Sequence, residues 1–362
     1  MTAVLHVSDR ADSDGRPTTA PLLLAGAAIA LCVAIFLSLS IGATGITLSS
    51  LPRVLAAMLT GHTNSDIARE QLVLIDIRLP RMLLGLFVGA SLAVAGAMMQ
   101  GMFRNPLADP GLVGVSSGAA LATVATIAFG NSFAAPWIKA FGAYALPVAA
   151  FVGGMATTLV LVAIVNRQGQ LSISTLLLAG LALAALNGAF MGFIAFVSDD
   201  RELRDLTLWM LGSLSGASWP KVLAVIPFAM LIAFVLPRLI RGLNGLLLGE
   251  AEAFHLGIDV ERTKQVIVLV TSAAVGAAVA VAGILGFVGI LVPHLVRLLA
   301  GPDHRIVLPA SALMGGTLVL VADILARMLL RPAELPLGVV MAIIGAPVFL
   351  RMVVKRGMAG GG

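Results

Sequence analysis

Apolar residues fill this chain in blocks of roughly the 20 residues that a helix needs to cross a bilayer, with short polar joints between them. The blocks predict ten crossings, near 22–43, 82–102, 111–130, 144–165, 173–197, 220–238, 264–284, 286–300, 307–330 and 336–354. Residues 22–356 then form one membrane domain between a polar tail at 1–21 and a short tail at 357–362. The block 286–300 is short and holds Pro293, which removes a backbone donor, so a break or kink is expected there. Three joints are longer and patterned. Residues 44–77 predict an outside loop with an amphipathic portion near 49–59. Residues 199–219 predict a surface helix with Trp209 and Trp219 at headgroup level. In 239–263, Leu247, Leu248, Ala251, Phe254 and His255 recur at helical spacing, with Glu250 and Glu252 on another face. That joint reads as a cytoplasmic helix pair that binds another protein, or as a helix resting on the membrane surface.

Composition supports the pattern. Hydrophobic residues make up 59% of the chain and charged residues 11%, against about 25% charged in a soluble domain. The chain is an all-α polytopic membrane protein, and its 39 glycines suit close helix contacts in lipid. The single cysteine, Cys32, excludes an intrachain disulfide and a cysteine metal framework. The net charge of +5 carries no implication of nucleic-acid binding, because Lys and Arg placement in a membrane protein reports topology first. Cytoplasmic N- and C-termini give the inside joints a small excess of Lys and Arg. They also leave Arg78, Arg81, Arg204 and Arg327 outside, where they are expected to face a partner or substrate.

An internal repeat supports this topology. VGASLAVAG at 88–96 matches VGAAVAVAG at 275–283 except at two of nine positions. The two segments lie on the second and seventh crossings and so run in opposite directions, as in an inverted-repeat transporter.

Candidate chemistry is sparse. None of the four lysines follows glycine, so no phosphate-binding GxxxxGK[ST] loop exists. The chain is expected to be no enzyme, with ATP-driven work supplied by a partner. Asp323 and Arg327 are one helical turn apart and can pair, but the carboxylate series of an ion relay is missing. Asp199, Asp200 and Asp205 face no second acidic cluster, which argues against an intramembrane prenyltransferase and for a solvated loop. None of the five histidines stands four residues from another histidine or from the cysteine, so no permanent metal site is expected. Met98 and Met99 are either packed core or the soft wall of a pathway for a large apolar ligand.

Several separated motifs carry a family resemblance: RLPR at 78–81, Gly96 to Gln100, NPLADPG at 105–111, LGE at 248–250, GFVG at 286–289, Pro293-His294, DHR at 303–305, ADILAR at 322–327 and ELPLG at 334–338. Together they resemble the permease subunit of FecCD/BtuC-type bacterial ABC importers, which carry iron-siderophores, haem and vitamin B12. The resemblance implies a type II importer permease fold in the inner membrane. It implies a homodimer with the pathway between its subunits, two ABC ATPase subunits that bind the ATP, and a periplasmic binding protein. It implies that Arg78, Arg81 and Arg327 receive acidic residues of the binding protein. Within 246–259 it implies that Leu248, Gly249, Glu250, Ala253, Leu256 and Gly257 sit on the ATPase. It places the inner gate at Ser172, Ser174 and Thr175. Residues 204–219 look most like the haem-importing branch, with ferric siderophore and cobalamin as alternatives. Arg204 at the outer mouth could meet a haem propionate, with Met98 and Met99 on the pathway wall. Haem is then a transported ligand, and no cofactor is permanently bound.

Overall fold

The computed structural model describes residues 19–42, 48–60, 64–166, 172–330 and 332–359. Most of the expected tail at 1–21 and the last residues of the tail at 357–362 lie outside the described residues. Ten helices correspond to the expected crossings: α1 (Thr19–Ser40), α4 (Leu79–Phe103), α5 (Val115–Ala128), α7 (Ala145–Val165), α8 (Ile173–Val197), α10 (Trp219–Leu248), α12 (Val260–Ala282), α13 (Val288–Ala300), α14 (His304–Met328) and α15 (Leu337–Ala359). Among the described residues seven helical runs are long and apolar enough to span alone, while α5, α13 and the apolar part of α15 are shorter. The described residues also form five small α-helices: α2 (Leu51–Thr60), α3 (Ser65–Gln71), α6 (Ala135–Phe141), α9 (Asp200–Met210) and α11 (Glu250–His255). No strand occurs among the described residues.

Helices α4 and α12 form the centre. α4 is rich in Gly, Ala, Leu and Met and α12 in Ala and Val, and a helix apolar all round is one that gets buried. From Ser91 to Phe103 and from Val270 to Ala282 every residue is buried. Their surroundings obey a two-fold relation. α4 packs on α14 as α12 packs on α7, and α13 packs on α4 and α14 as α5 packs on α12 and α7. The exchange of α4 with α12, α5 with α13 and α7 with α14 is what the sequence repeat requires.

Glycine sets the closest approaches. A Cβ on Gly96 would overlap the Gly289 carbonyl, and one on Gly89 would overlap that of Gly315, so α13 and α14 lie backbone against backbone on α4.

Two prolines are absorbed by side chains from elsewhere in the chain. Pro293 lies inside an unbroken α13, which corrects the expected break. The carbonyl it leaves without a helical donor, that of Gly289, accepts from Gln100 Nε2 at 3.2 Å. The interruption instead precedes α13, between Gly283 and Phe287, where Gly283 and Phe287 have φ of 71° and 67°. Pro80 has a parallel solution. Residues Leu72–Arg78 form a π-helical segment that joins α3 to α4 without a loop, so the expected outside loop is helical over 65–78. In this register Leu79 N–H bonds the Leu74 carbonyl, and Pro80 would have bonded that of Ile75. The indole of Trp219 donates to the Ile75 carbonyl instead, at 3.1 Å.

The NPLADPG turn is a pair of side-chain-closed turns. Arg104 ends α4 in the left-handed region at φ 48°. Asn105 Oδ1 accepts from Leu107 N at 3.0 Å, and Asp109 Oδ1 accepts from Gly111 N at 2.7 Å. The chain then dips into the bundle. Asp109 and Pro110 join Leu92, Val275, Val279 and Gly289 around a cavity of about 30 Å³.

Candidate functional site

Three arginines gather at one end of the bundle. Arg81, in the first turn of α4, donates from Nε and Nη2 to the Asp323 carboxylate of α14 at 2.8–3.2 Å. Its Nη1 and Nη2 also donate to Glu334 at 3.1 and 3.0 Å. Arg327 meets Asp323 at 3.0 Å, the pairing expected from their spacing. Its Nη1 donates to the Ile41 carbonyl at 3.0 Å. Asp323 thus sits between two guanidinium groups with its side chain 2% exposed. Arg78 is buried, and it donates to the carbonyls of Leu39 and Ser40 at 2.6 and 3.2 Å, where α1 ends. The three residues share a site, and in this chain it is not an open basic edge. Each guanidinium is already engaged, and the most open charged group of the cluster is Glu334, whose side chain is 39% exposed. The sequence could not supply Glu334 as Arg81's partner, because 253 positions separate the two.

Arg204 lies at the same end, exposed on α9, and makes no ion pair or hydrogen bond among the described residues. The helix α9 exists because Asp199 caps it. Asp199 Oδ1 accepts from Glu202 N at 2.7 Å while Glu202 Oε2 accepts from Asp199 N at 3.1 Å, a reciprocal capping box. This corrects the solvated-loop reading of the acidic cluster. Met98 and Met99 are fully buried in the main core, between α4 and its neighbours. They line no described cavity, which corrects their assignment to a pathway wall: the small-residue helix that carries them is central, not peripheral.

The opposite end carries the expected coupling segment. Gly242 and Gly245 do not interrupt α10, which continues to Leu248. The separate helix is therefore only α11, and the expected helix pair over 239–263 is shortened to it. Gly249 at φ 128° and Gly257 at φ 74° make its two corners. Ala253 is its buried contact, whereas Leu248, Phe254 and Leu256 are exposed, Phe254 by 71%. Glu250 pairs with the buried Lys264 of α12 at 2.6 Å, which fixes α11 on the bundle. A cleft of about 1040 Å³ opens here. Its walls include Ser172 and Ile173 from the start of α8 and Glu250, Phe254, Asp259 and Lys264 from the α11–α12 corner. Ser172, a gate candidate, and the coupling residues therefore share one cleft, while Ser174 and Thr175 are exposed on the first turn of α8. Among the described residues no group of His, Cys, Asp and Glu could hold a metal ion.

A buried polar chain lies deeper at this end and escaped the sequence reading. Arg297 of α13 donates to Gln100 Oε1 and, at 2.9 Å, to the Ala97 carbonyl, both on α4. It also lies 3.3 Å from His304 Nε2. His304 Nδ1 lies 2.8 Å from Asn244 Oδ1, and Asn244 Nδ2 donates to Asp303 at 2.7 Å. The available signal was an arginine inside an apolar run, which is costly in a membrane and so marks a partnered site.

The FecCD transport family profile matches residues 30–355. The hemin transport system permease HmuU of Yersinia pestis is 44% identical over 288 residues, covering 78% of this chain and 83% of its own. The cobalamin import system permease BtuC of Halobacterium salinarum is 44% identical over 286 residues, 79% of this chain and 74% of its own. A solved structure described as an inward-facing conformation of a metal-chelate type ABC transporter superposes with a TM-score of 0.80 at 32% identity, covering 92% of this chain and 99% of that one.

Proposed function

The chain belongs to the FecCD transport family, and on that premise we propose that this ABC importer permease carries haem across the bacterial inner membrane. It acts as a homodimer fed by a periplasmic binding protein and driven by two ABC ATPase subunits. The observation that carries the haem reading is Arg204, an exposed and uncommitted guanidinium at the outer end of the bundle, which suits a propionate carboxylate. Similarity to the hemin permease supports it. Cobalamin is the second reading, because a cobalamin permease is matched at the same 44% identity.

The roles of the two ends follow. The exposed side chains Leu248, Phe254 and Leu256 suit an apolar ATPase socket. At the other end, an acid of the binding protein would compete with Glu334 for Arg81, and Arg327 lies beside it on Asp323. Arg78 holds the end of α1 at the Leu39 and Ser40 carbonyls, next to the Ile41 carbonyl that Arg327 holds. The gate role of Ser172, Ser174 and Thr175 draws on their place beside the α11 cleft, where a shift of α11 reaches the start of α8. No covalent step occurs in this chain: binding energy and ATP hydrolysis on the partner move packed helices between two arrangements.

The test is uptake into proteoliposomes holding the assembled complex, with haem, a ferric siderophore and cobalamin offered in parallel. Haem uptake that falls in Arg204→Glu supports the reading. Cobalamin uptake without haem uptake overturns it.

A further inference from the structure

We propose that the Arg297–His304–Asn244 chain is a positioning latch that ties the coupling segment to the two backbone-packed helices α4 and α13. This rests on the reading of α11 as the ATPase contact. Asn244 lies four residues before the end of α10, and α10 turns into α11 at Gly249 alone. A displacement of α11 therefore acts on Asn244 first. Asn244 Oδ1 receives His304 N at 2.9 Å and faces His304 Nδ1, while its Nδ2 holds Asp303, so it grips the N-terminus of α14. His304 passes the contact to Arg297, and Arg297 reaches Ala97 and Gln100. Gln100 closes the path by donating to the Gly289 and Ile290 carbonyls in the first turn of α13.

The hydrogen bonds have one consistent direction. A guanidinium only donates, so His304 Nε2 must accept, and the imidazole proton must sit on Nδ1 and go to Asn244 Oδ1. Asn244 Oδ1 then faces two donors, and its amide is oriented with Nδ2 toward Asp303. Each side chain is fixed by the one before it, and a chain of this kind moves as a unit or breaks. Arg297 has no carboxylate partner among the described residues. Its charge instead faces acceptor oxygens near the C-terminal end of α4, where the helix dipole is negative.

The contacts lie in series, and that gives the test. His304→Asn keeps an amide near the Asn244 side and loses the reach to Arg297. Asn244→Ala breaks the next contact. Assembled complexes carrying each variant and both together are compared in proteoliposomes for ligand moved per ATP hydrolysed. The probe is whichever of haem, ferric siderophore or cobalamin the wild-type complex moves, so an error in the haem reading leaves the ratio measurable. Absence of any ATPase assembly with the wild-type permease would instead sink the coupling reading itself. Each single variant is expected to lower the ratio about ten-fold, the equivalent of one lost hydrogen bond to a charged group. The double variant is expected to fall no further, because a series contact is broken only once. An unchanged ratio overturns the latch, whether transport is intact or falls in step with the amount of folded complex. Losses that multiply in the double variant overturn it as well.

Discussion

A carboxylate inside a membrane bundle needs a specific reason to stay there, and two aspartates show different ones. Asp109 caps its turn from within the bundle, and burial pushes its carboxyl above the ordinary range, with the Gly111 N–H only partly opposing this. A raised folded-state value means that the stability contributed by the neutral acid is complete below the unfolded value, about 3.9, and is lost as pH rises through the folded one. Asp109→Asn keeps the acceptor for Gly111 and cannot ionise. Its melting temperature in detergent is expected to match wild type in acid and to exceed it as pH rises through that window. Asp109→Ala is expected to lose about 1 kcal/mol at any pH by giving up the turn bond. Asp323 stays for another reason, the two arginines that pair with its carboxylate. Asp323→Asn leaves Arg81 and Arg327 buried without their shared counter-charge, at an expected cost of about 3–5 kcal/mol in unfolding measurements. Glu334→Gln, on the open side of the same cluster, is expected to cost less than about 1 kcal/mol.

Among the elements, hydropathy was a good guide to which segments are helices and to most of their ends, and it missed a few ends. All ten expected crossings correspond to helices, because an apolar block of that length has one way to satisfy its backbone in lipid. The missed ends are set by something else. α10 outruns its apolar block to Gly249, and α4 is preceded by helix back to Ser65, because backbone geometry ends a helix and polarity does not. The prolines misled for a related reason. Pro293 announces a lost donor, but Gln100, which repairs the loss, lies 189 positions away. Glycine contacts are equally remote and equally strict. Gly96→Ala would drive a Cβ into the Gly289 carbonyl and force α13 off α4. An expected loss of about 1–3 kcal/mol, typical of overpacking, should appear in thermal unfolding of the detergent-solubilised protein. Gly26, with open space around it, should accept alanine without loss.

Over the whole molecule, the inverted repeat was legible from nine residues because the two central helices must be small on every face, and that leaves few sequences to choose from. What the ends do was legible only in part. A basic edge and an amphipathic joint could be seen, but their internal partners could not, since Glu334 and Asn244 lie far from the groups they hold and the Lys264 pairing depends on the corner between α11 and α12. Glu250 makes the point testable. Its proximity to the expected ATPase surface suggests a direct contact, yet its carboxylate is bound to Lys264, whose side chain is 6% exposed. If Glu250 acts as the anchor of α11, its charge matters only relative to Lys264. Glu250→Gln should then weaken co-purification of the ATPase by leaving α11 loosely held, and Lys264→Gln should do the same from the other side. The exchange Glu250→Lys with Lys264→Glu restores an ion pair between the same positions and should recover most of the binding. Both readings predict weak binding for Glu250→Gln, so the exchange decides between them. If Glu250 instead touches the ATPase, reversing its charge on that surface leaves binding lost despite the restored pair. Affinity pull-down of the ATPase from detergent, at low and high salt, separates the two outcomes. A partly buried anchor is screened little by salt, whereas a contact at an open protein–protein edge is screened strongly.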